Sequence, residues 1–180
     1  MRTLALEAMF DAVDRRAGDL AAFDQIMRQN ERLVLATALR MLGNLEDAKD
    51  ASQEVFLKLY RNLGKLESEE HIRAWLYRVT VNVCHDVGGK RKPTAPVEEA
   101  DLVAASDPPD ADDRRRALML SLRRLSEKER AAVVLRDLEG LSTEEVARAL
   151  GSSEATVRSQ ISQARVKMRE FLERYFRRRL

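Results

Sequence analysis

The segment that most constrains the fold lies in the middle of the chain, at residues 93–113. It contains seven acidic side chains, no basic one, and all four prolines of the 180-residue sequence. Proline removes a backbone donor and disfavours helix at the preceding residue, and closely spaced like charges repel each other. We therefore predict a flexible acidic linker that joins two domains, residues 1–92 and 114–180.

Charge is unevenly distributed between these parts, although the whole chain has a net charge of only +2. Residues 1–92 carry 15 basic and 14 acidic side chains, whereas residues 114–180 carry 17 basic and 9 acidic ones. The C-terminal domain is therefore strongly basic, which suits a domain that binds a polyanion such as DNA.

The composition also restricts the class of protein. Seven glycines are too few for an all-β chain with many tight turns, and a charged content of 34% suits exposed helices. No apolar run approaches the roughly 18 residues of a membrane span, and the N-terminus lacks the apolar core of a signal peptide. We expect an all-α, soluble, cytoplasmic protein that does not insert into membranes.

The sequence offers no candidate for a catalytic or metal site. Its single cysteine, Cys84, excludes a disulfide framework and a multi-cysteine metal site. Cys84 and the adjacent His85 point about 100° apart on a helix, and His71 is too distant to complete a local ligand set. No phosphate-binding glycine loop or cofactor motif is present. We therefore expect no enzymatic activity, no cofactor and no metal.

Glycines separate three predicted helices in the N-terminal domain. The first begins at an Asp19 cap and stops at Gly43. The next two span residues 45–63 and 69–87, and the second of these stops at the Gly88–Gly89 pair. It is rich in β-branched residues, but its length and the spacing of its apolar residues favour helix over strand.

One face of the 45–63 helix mixes polar and apolar side chains. Its residues follow the i, i+3, i+4, i+7 spacing of a single helix face, and they are Asp50, Gln53, Glu54 and Leu57. Such a face can bind a protein partner, or its acidic residues can simply keep the helix solvated. Spacing alone favours the second interpretation.

Two capping boxes mark helix starts in the C-terminal domain. Ser126 with Glu129, and Ser142 with Glu145, fit the pattern in which side chains satisfy the free amide groups of a helix N-terminus. They predict one helix that is closed by Gly140 and a short helix that follows it.

A helix-turn-helix unit is predicted from the short helix Thr143–Leu150, a tight turn at Gly151 and a long helix from Glu154. The second helix of such a unit enters the DNA major groove. A generic helical hairpin would give the same pattern, but eight basic against three acidic residues from Ser153 onward favour DNA binding.

Three stretches of the sequence resemble bacterial sigma factors of the extracytoplasmic-function (ECF) type. They are DAKDASQEVFLKLYRNL, RAWLYRVTVNVCHDVGGKRK and LSEKERAAVVLRDLEGLSTEEVARALGSSEATVRSQISQARVKMREFL, in the family's order and spacing. The resemblance implies two helical DNA-binding domains joined by a flexible linker. It also implies a dissociable subunit that brings core RNA polymerase to chosen promoters and catalyses nothing itself.

The resemblance assigns roles to residues of the N-terminal domain. The face of Asp50, Gln53, Glu54 and Leu57 corresponds to the helix that docks on the clamp helices of the polymerase β′ subunit. The second stretch corresponds to the helix that reads the minus-ten element as single-stranded DNA. The amide of Asn82 would hydrogen-bond a flipped base, and the candidates for phosphate contacts are Arg73, Arg78, Lys90 and Arg91.

The C-terminal domain corresponds to the part that binds the minus-thirty-five element as duplex. The resemblance places its DNA contacts at Arg136, Thr143, Glu144, Arg158, Ser159, Ser162, Gln163 and Arg165. Gln160 and Gln163 stand where relatives usually carry arginine. Because arginine matches guanine and glutamine matches adenine, we expect a promoter element that depends less on guanine at the Gln163 contact.

The resemblance also implies partners: core RNA polymerase through its β′ clamp helices and β flap, promoter DNA, and an anti-sigma factor. The alternative is a two-domain helix-turn-helix transcription regulator that does not join polymerase. That alternative leaves the Asp50 face and the single-strand site without a purpose.

Overall fold

The computed structural model describes the backbone of residues 2–63, 68–90 and 109–177, and the side chains of residues 20–63, 68–89 and 112–177. Almost all of these residues are helical, and none of them lies in a strand. The expectation of an all-α fold is confirmed.

The N-terminal domain consists of α1 (Arg2–Leu42), α2 (Leu45–Asn62) and α3 (Glu69–Lys90). The three helices pack around fully buried side chains that include Val34, Leu59 and Leu76. Gly43, with φ of +72°, ends α1, and the side chain of Asn44 caps α2 by accepting hydrogen bonds from the amides of Glu46 and Asp47.

Two predicted helix ends in this domain are wrong. Helix α1 runs without a break through Asp19, and α3 continues through Gly88 and Gly89 to Lys90. A glycine inside a helix costs about 1 kcal/mol relative to alanine. In helices as long as α1 and α3, the hydrogen bonds and packing of the other turns offset this cost.

The C-terminal domain begins with α4 (Pro109–Arg123) and α5 (Glu127–Val133). Residues 109–113, assigned to the predicted linker, are therefore helical, and proline at a first helical position needs no amide partner. The other residues of the predicted linker, 93–108, lie outside the described residues.

A π-helical segment, Val134–Leu138, follows α5 directly. The Glu139 amide donates to the Val134 carbonyl at 3.0 Å, which closes a turn that is one residue wider than an α-helical turn. The predicted helix closed by Gly140 is therefore present, with φ of +79° at Gly140, but its last part is π-helical rather than α-helical.

Helices α6 (Thr143–Leu150) and α7 (Glu154–Arg177) form the predicted helix-turn-helix, with Gly151 in the left-handed region at φ of +59°. Both capping boxes are present in full. Val146 and Val157 are completely buried between the two helices, and Ile161 is almost so.

The two domains pack against each other through α1 and α3 on one side and through α5, the π-helical segment and α6 on the other. The Arg130 guanidinium joins them by donating to the Met41 carbonyl at 2.6 Å and to the Leu122 carbonyl at 2.9 Å. A cation at the last turn of α1 also interacts favourably with the helix dipole.

Candidate polymerase and nucleic-acid interfaces

The mixed face of α2 points away from the core of the domain. Asp50, Gln53 and Leu57 are exposed, and Glu54 is half-buried and lies 3.2 Å from the ammonium of Lys58. The opposite side of the helix is buried, and its residues are Ala48, Ser52, Val55 and Leu59. The four predicted residues therefore share one surface that the domain's own core does not use.

An apolar patch extends this surface and was missed from the sequence. Tyr60 is 50% exposed and makes an edge-to-face contact with Phe23 of α1, with ring centroids 5.3 Å apart. Leu20 of α1 is also exposed. Tyr60 lies three residues after Leu57, so the helical spacing that identified Leu57 could have identified Tyr60 as well.

Helix α3 brings only some of the predicted minus-ten residues together. Arg78 and Asn82, four residues apart, are both exposed on one side of the helix. Arg73 lies nine residues before Asn82, which places it about half a turn away, on the opposite side. The side chain of Lys90, and Arg91 as a whole, lie outside the described residues.

Arg73 faces the C-terminal domain. Its guanidinium carbon lies 6.0 Å from the centre of the Tyr77 ring. The pKa of Arg73 is raised, mainly by a hydrogen bond with Tyr77. Burial raises the pKa of Tyr77, so its phenol stays protonated and can donate a hydrogen bond.

Helix α7 presents the predicted duplex-reading residues as one exposed row: Arg158, Ser159, Ser162 and Gln163. The buried side of the same helix carries Val157, Ile161 and Ala164. Its first turn is capped by Ser153, whose hydroxyl accepts a hydrogen bond from the Thr156 amide at 3.1 Å. The row is therefore held at a fixed angle to the domain.

Two of the predicted DNA-binding arginines are engaged in ion pairs. Arg158 lies 2.5 Å from a carboxylate oxygen of Glu154. Arg165 makes a two-pronged contact with Asp137, at 2.9 Å from Nε and 2.6 Å from Nη2. The hydrogen bond with Asp137 raises the pKa of Arg165. Asp137 was not identified from the sequence, because it lies 28 residues away.

The remaining predicted contacts of the C-terminal domain differ in accessibility. Arg136 is half-buried and donates to the Leu141 carbonyl at 3.0 Å, which gives it a structural role in the turn before α6. Thr143 is half-buried, and Glu144 is exposed, 4.0 Å from Arg148. Gln160 is half-buried, and its side-chain oxygen has no hydrogen-bond partner in the described part of the chain.

A buried carboxylate anchors α7 to α5. Glu129 accepts hydrogen bonds from the Lys167 ammonium at 2.6 and 2.9 Å and from the Ser126 amide at 2.9 Å. The bond from Lys167 is the main reason that the pKa of Glu129 is lowered. Sequence reasoning identified Glu129 as a cap but not its contact with Lys167.

An open apolar groove runs between α7 and the end of α5. It is lined by Val133, Leu138, Met168, Leu172 and Phe176, with the Asp137–Arg165 pair beside it. Exposed apolar grooves of this kind bind protein partners, often an amphipathic helix. This groove was not predicted from the sequence.

The described residues contain no metal site, no reactive cysteine and no membrane-spanning helix. Among them, no group of three or more histidine, cysteine or acidic side chains could hold a metal ion. Cys84 is buried, and burial raises the pKa of its thiol to about 12. Within the same residues, no helix has the length and apolarity to cross a bilayer.

Two protein-family models match this chain, one in each domain. The model of the family described as Sigma-70 region 2 matches residues 26–92, and that of Sigma-70, region 4 matches residues 115–168. The ECF RNA polymerase sigma factor SigM of Mycobacterium tuberculosis is 36% identical over 158 residues, which cover 87% of this chain and 80% of SigM.

Solved structures are similar as well. CnrH, in complex with the cytosolic domain of CnrY, matches with a TM-score of 0.65 and 26% identity, over 90% of this chain and 94% of that one. The sigma factor RpoE of Bartonella quintana, in complex with the anti-sigma factor NepR, has the same fold, with a TM-score of 0.67 and 22% identity over 84% of this chain and 97% of that one. The chain therefore belongs to the ECF family of RNA polymerase sigma factors.

Proposed function

We propose that this sigma factor is a dissociable promoter-specificity subunit whose three exposed faces, on α2, α3 and α7, each bind a different partner. They bind core RNA polymerase, single-stranded minus-ten DNA and minus-thirty-five duplex, respectively. The observation that carries the proposal is the exposed face of α2, because a regulator that binds only DNA has no use for it. The protein catalyses no reaction itself and acts in the cytoplasm, where polymerase and promoters are found.

The α2 face is suited to the β′ clamp helices of polymerase. It combines an apolar centre at Leu57 with the polar side chains of Asp50, Gln53 and Glu54, as protein interfaces commonly do. Tyr60 and its neighbour Phe23 add aromatic surface beside Leu57, and aromatic side chains often contribute strongly to binding.

The exposed side of α3 is suited to an unpaired strand. The Asn82 amide offers both a donor and an acceptor to the edge of a flipped base. Arg78, one turn before it, can contact a phosphate of the same strand. Arg73 lies on the other side of the helix, so we assign the minus-ten contact to Arg78 and Asn82 and leave Arg73 out of it.

The exposed row of α7 is suited to the major groove. Arg158 can form a two-pronged contact with guanine, and Ser159, Ser162 and Gln163 can hydrogen-bond several bases. Arg165, one to two turns further along, is placed for a phosphate once it leaves Asp137. Thr143 and Glu144 lie at the start of α6, where helix-turn-helix domains cross the DNA backbone.

The family relationship and the apolar groove each suggest a protein partner. RpoE of Bartonella quintana binds an anti-sigma factor, and we propose that an anti-sigma factor also regulates this protein. The groove between α5 and α7 is the surface of the C-terminal domain that best fits an apolar partner, such as the β flap of polymerase.

Run-off transcription with purified core polymerase tests this function. We expect initiation from a cognate promoter with the intact chain, and loss of core binding on Leu57→Ala. We expect loss of promoter opening on Asn82→Ala, and loss of duplex recognition on Arg158→Ala. Glu170→Gln, on the exposed side of α7, serves as the control. Duplex binding without initiation would instead support a regulator that never joins polymerase.

A further inference from the structure

One carboxylate of the C-terminal domain, that of Glu139, is inserted into the N-terminal domain. Its Oε1 accepts hydrogen bonds from the Thr37 hydroxyl at 3.1 Å and from the Arg40 guanidinium, and its Oε2 accepts one from the Tyr77 hydroxyl at 3.3 Å. The Glu139 side chain is only 10% exposed. A carboxylate this buried is stable only with such donors, so the three residues form a site with the chemistry of a carboxylate receptor.

Other contacts around this site follow the same charge pattern. Bases of the N-terminal domain face acids of the C-terminal domain: His85 lies 3.1 Å from Glu127, and Arg73 is attracted by both Glu139 and Glu145. The half-buried Arg130 adds a hydrogen bond between the domains, from its guanidinium to the Met41 carbonyl. The contact is therefore an interface of complementary charge, in which the Glu139 side chain is largely shielded from solvent.

This arrangement places the two DNA-reading faces too close together for a promoter. Asn82 lines an interdomain cavity of about 390 Å³ together with Thr156 and Gln160 from the first turns of α7. The minus-ten and minus-thirty-five elements, as their names state, are centred about 25 base pairs apart, which is roughly 85 Å of duplex at 3.4 Å per base pair. In the closed arrangement the chain cannot contact both elements at once.

The covalent chain permits the domains to separate. Eighteen residues, 91–108, connect α3 to α4, and a chain of that length spans at most about 60–65 Å when fully extended. That reach, added to the size of the two domains, is sufficient for the spacing of the two elements. Among the described residues, separation requires release of the interdomain contacts.

We infer that Thr37, Arg40 and Tyr77 form a carboxylate-binding site that holds Glu139 and keeps the two domains in a closed arrangement incompatible with promoter binding. The inference rests on the proposed function, because closure inhibits only a protein that must contact both promoter elements. Polymerase and promoter DNA then favour the open arrangement by binding it better than the closed one.

Glu139→Gln tests the inference in the full-length chain, because it removes the charge and keeps the shape of the side chain. We expect a larger radius of gyration by small-angle X-ray scattering. We also expect an affinity of the free protein for DNA with both elements that is higher by up to about tenfold, because the binding-competent fraction increases. Glu170→Gln removes the same charge from an exposed position of α7 and is expected to change neither quantity.

Exchanging the charges of Arg40 and Glu139 distinguishes the loss of this specific contact from a general loss of folding. Arg40→Glu alone should open the chain, whereas Arg40→Glu combined with Glu139→Arg should restore most of the closed population. Thermal melting of each variant shows whether both domains remain folded.

Two outcomes would overturn the inference. One is a Glu139→Gln variant with the radius and DNA affinity of the unmodified chain, and the other is an open variant whose DNA affinity has not increased. The scattering measurement does not depend on the proposed function, which fails separately if the unmodified chain cannot direct core polymerase in run-off transcription.

Discussion

Helices α3 and α7 both present candidate DNA-reading residues, but their positions are fixed in different ways. Helix α7 is placed by local features, namely the left-handed Gly151 turn and the Ser153 cap, and by the Glu129–Lys167 bond to α5. The surroundings of α3 depend on contacts with a distant part of the chain, such as the bond of Tyr77 to Glu139. The candidate duplex-reading face is therefore fixed within one domain, whereas access to the candidate single-strand residue Asn82, which borders the interdomain cavity, also depends on how the domains are arranged.

The largest expected effect is on initiation, and it tests whether Asn82 of α3 contacts DNA rather than stabilises the fold. Asn82→Ala should reduce run-off initiation by about 5- to 150-fold, because a good hydrogen-bonded base contact contributes about 1–3 kcal/mol. The melting temperature should not change, since Asn82 is exposed. Asp86→Asn, also exposed on α3, is the control, and an equal defect in that variant would argue against a specific role for Asn82.

The second prediction concerns the attachment of α7. Glu129→Gln should lower the free energy of unfolding by about 1–2 kcal/mol, because it weakens charge-assisted hydrogen bonds to Lys167. Glu145→Gln removes the other capping-box carboxylate and should cost less, since that carboxylate is bonded to the Ser142 amide but is less buried than Glu129 and is not bonded to Lys167. Urea denaturation measures both, and equal losses would contradict the role of Lys167.

The same carboxylate makes stability depend on pH. The pKa of Glu129 is lowered in the folded chain, mainly by the hydrogen bond from Lys167, below its ordinary value of 4.5. Its contribution is therefore complete above about pH 4.5 and is lost as the pH falls through the lower folded-state pKa. The stability of Glu129→Gln should decline less steeply in this acidic range than that of the unmodified chain.

A smaller effect is expected from the exposed row of α7. Gln163→Arg should strengthen duplex binding about fivefold and make the slope of log affinity against log salt steeper by about 1, because one added cation neutralises one more phosphate charge. It should also shift the selected base toward guanine. Gln163→Ala provides the comparison, and a selected motif that Gln163→Arg leaves unchanged would refute the assignment.

The smallest effect tests whether Asp137 competes with DNA for Arg165. Asp137→Ala should raise duplex affinity two- to threefold at low salt, equally for all sequences, because Arg165 is released from its ion pair and can contact a phosphate. The increase should disappear in an Arg165→Ala background. A rise that persists there would mean that Asp137 acts through general charge alone.

Local motifs account for the features that the sequence predicted well. Both capping boxes, the Gly151 turn and the exposed row of α7 depend on residues within a few positions of each other. Helical periodicity likewise identified the outward face of α2, because the opposite side of that helix carries a regular apolar stripe that packs into the core. In these cases local preference and tertiary packing agree.

The wrong predictions came from local signals that the rest of the helix outweighed. Asp19 and the Gly88–Gly89 pair resemble helix ends, yet α1 and α3 continue through them. Two long-range contacts could not be predicted from the sequence. They are that of Glu139 with Thr37, 102 residues away, and that of Arg165 with Asp137. Single-sequence periodicity carries no information about which exposed charges of different helices come together.

The wide turn at Val134–Leu138 connects two contacts that serve different ends of the molecule. Asp137, inside the turn, holds Arg165 on the DNA side, and Glu139, directly after it, holds the N-terminal domain. One residue more or less in this turn would rotate both carboxylates about the helix axis by about 100°. The two contacts therefore depend on one short backbone segment, and a change in its length would displace both of them.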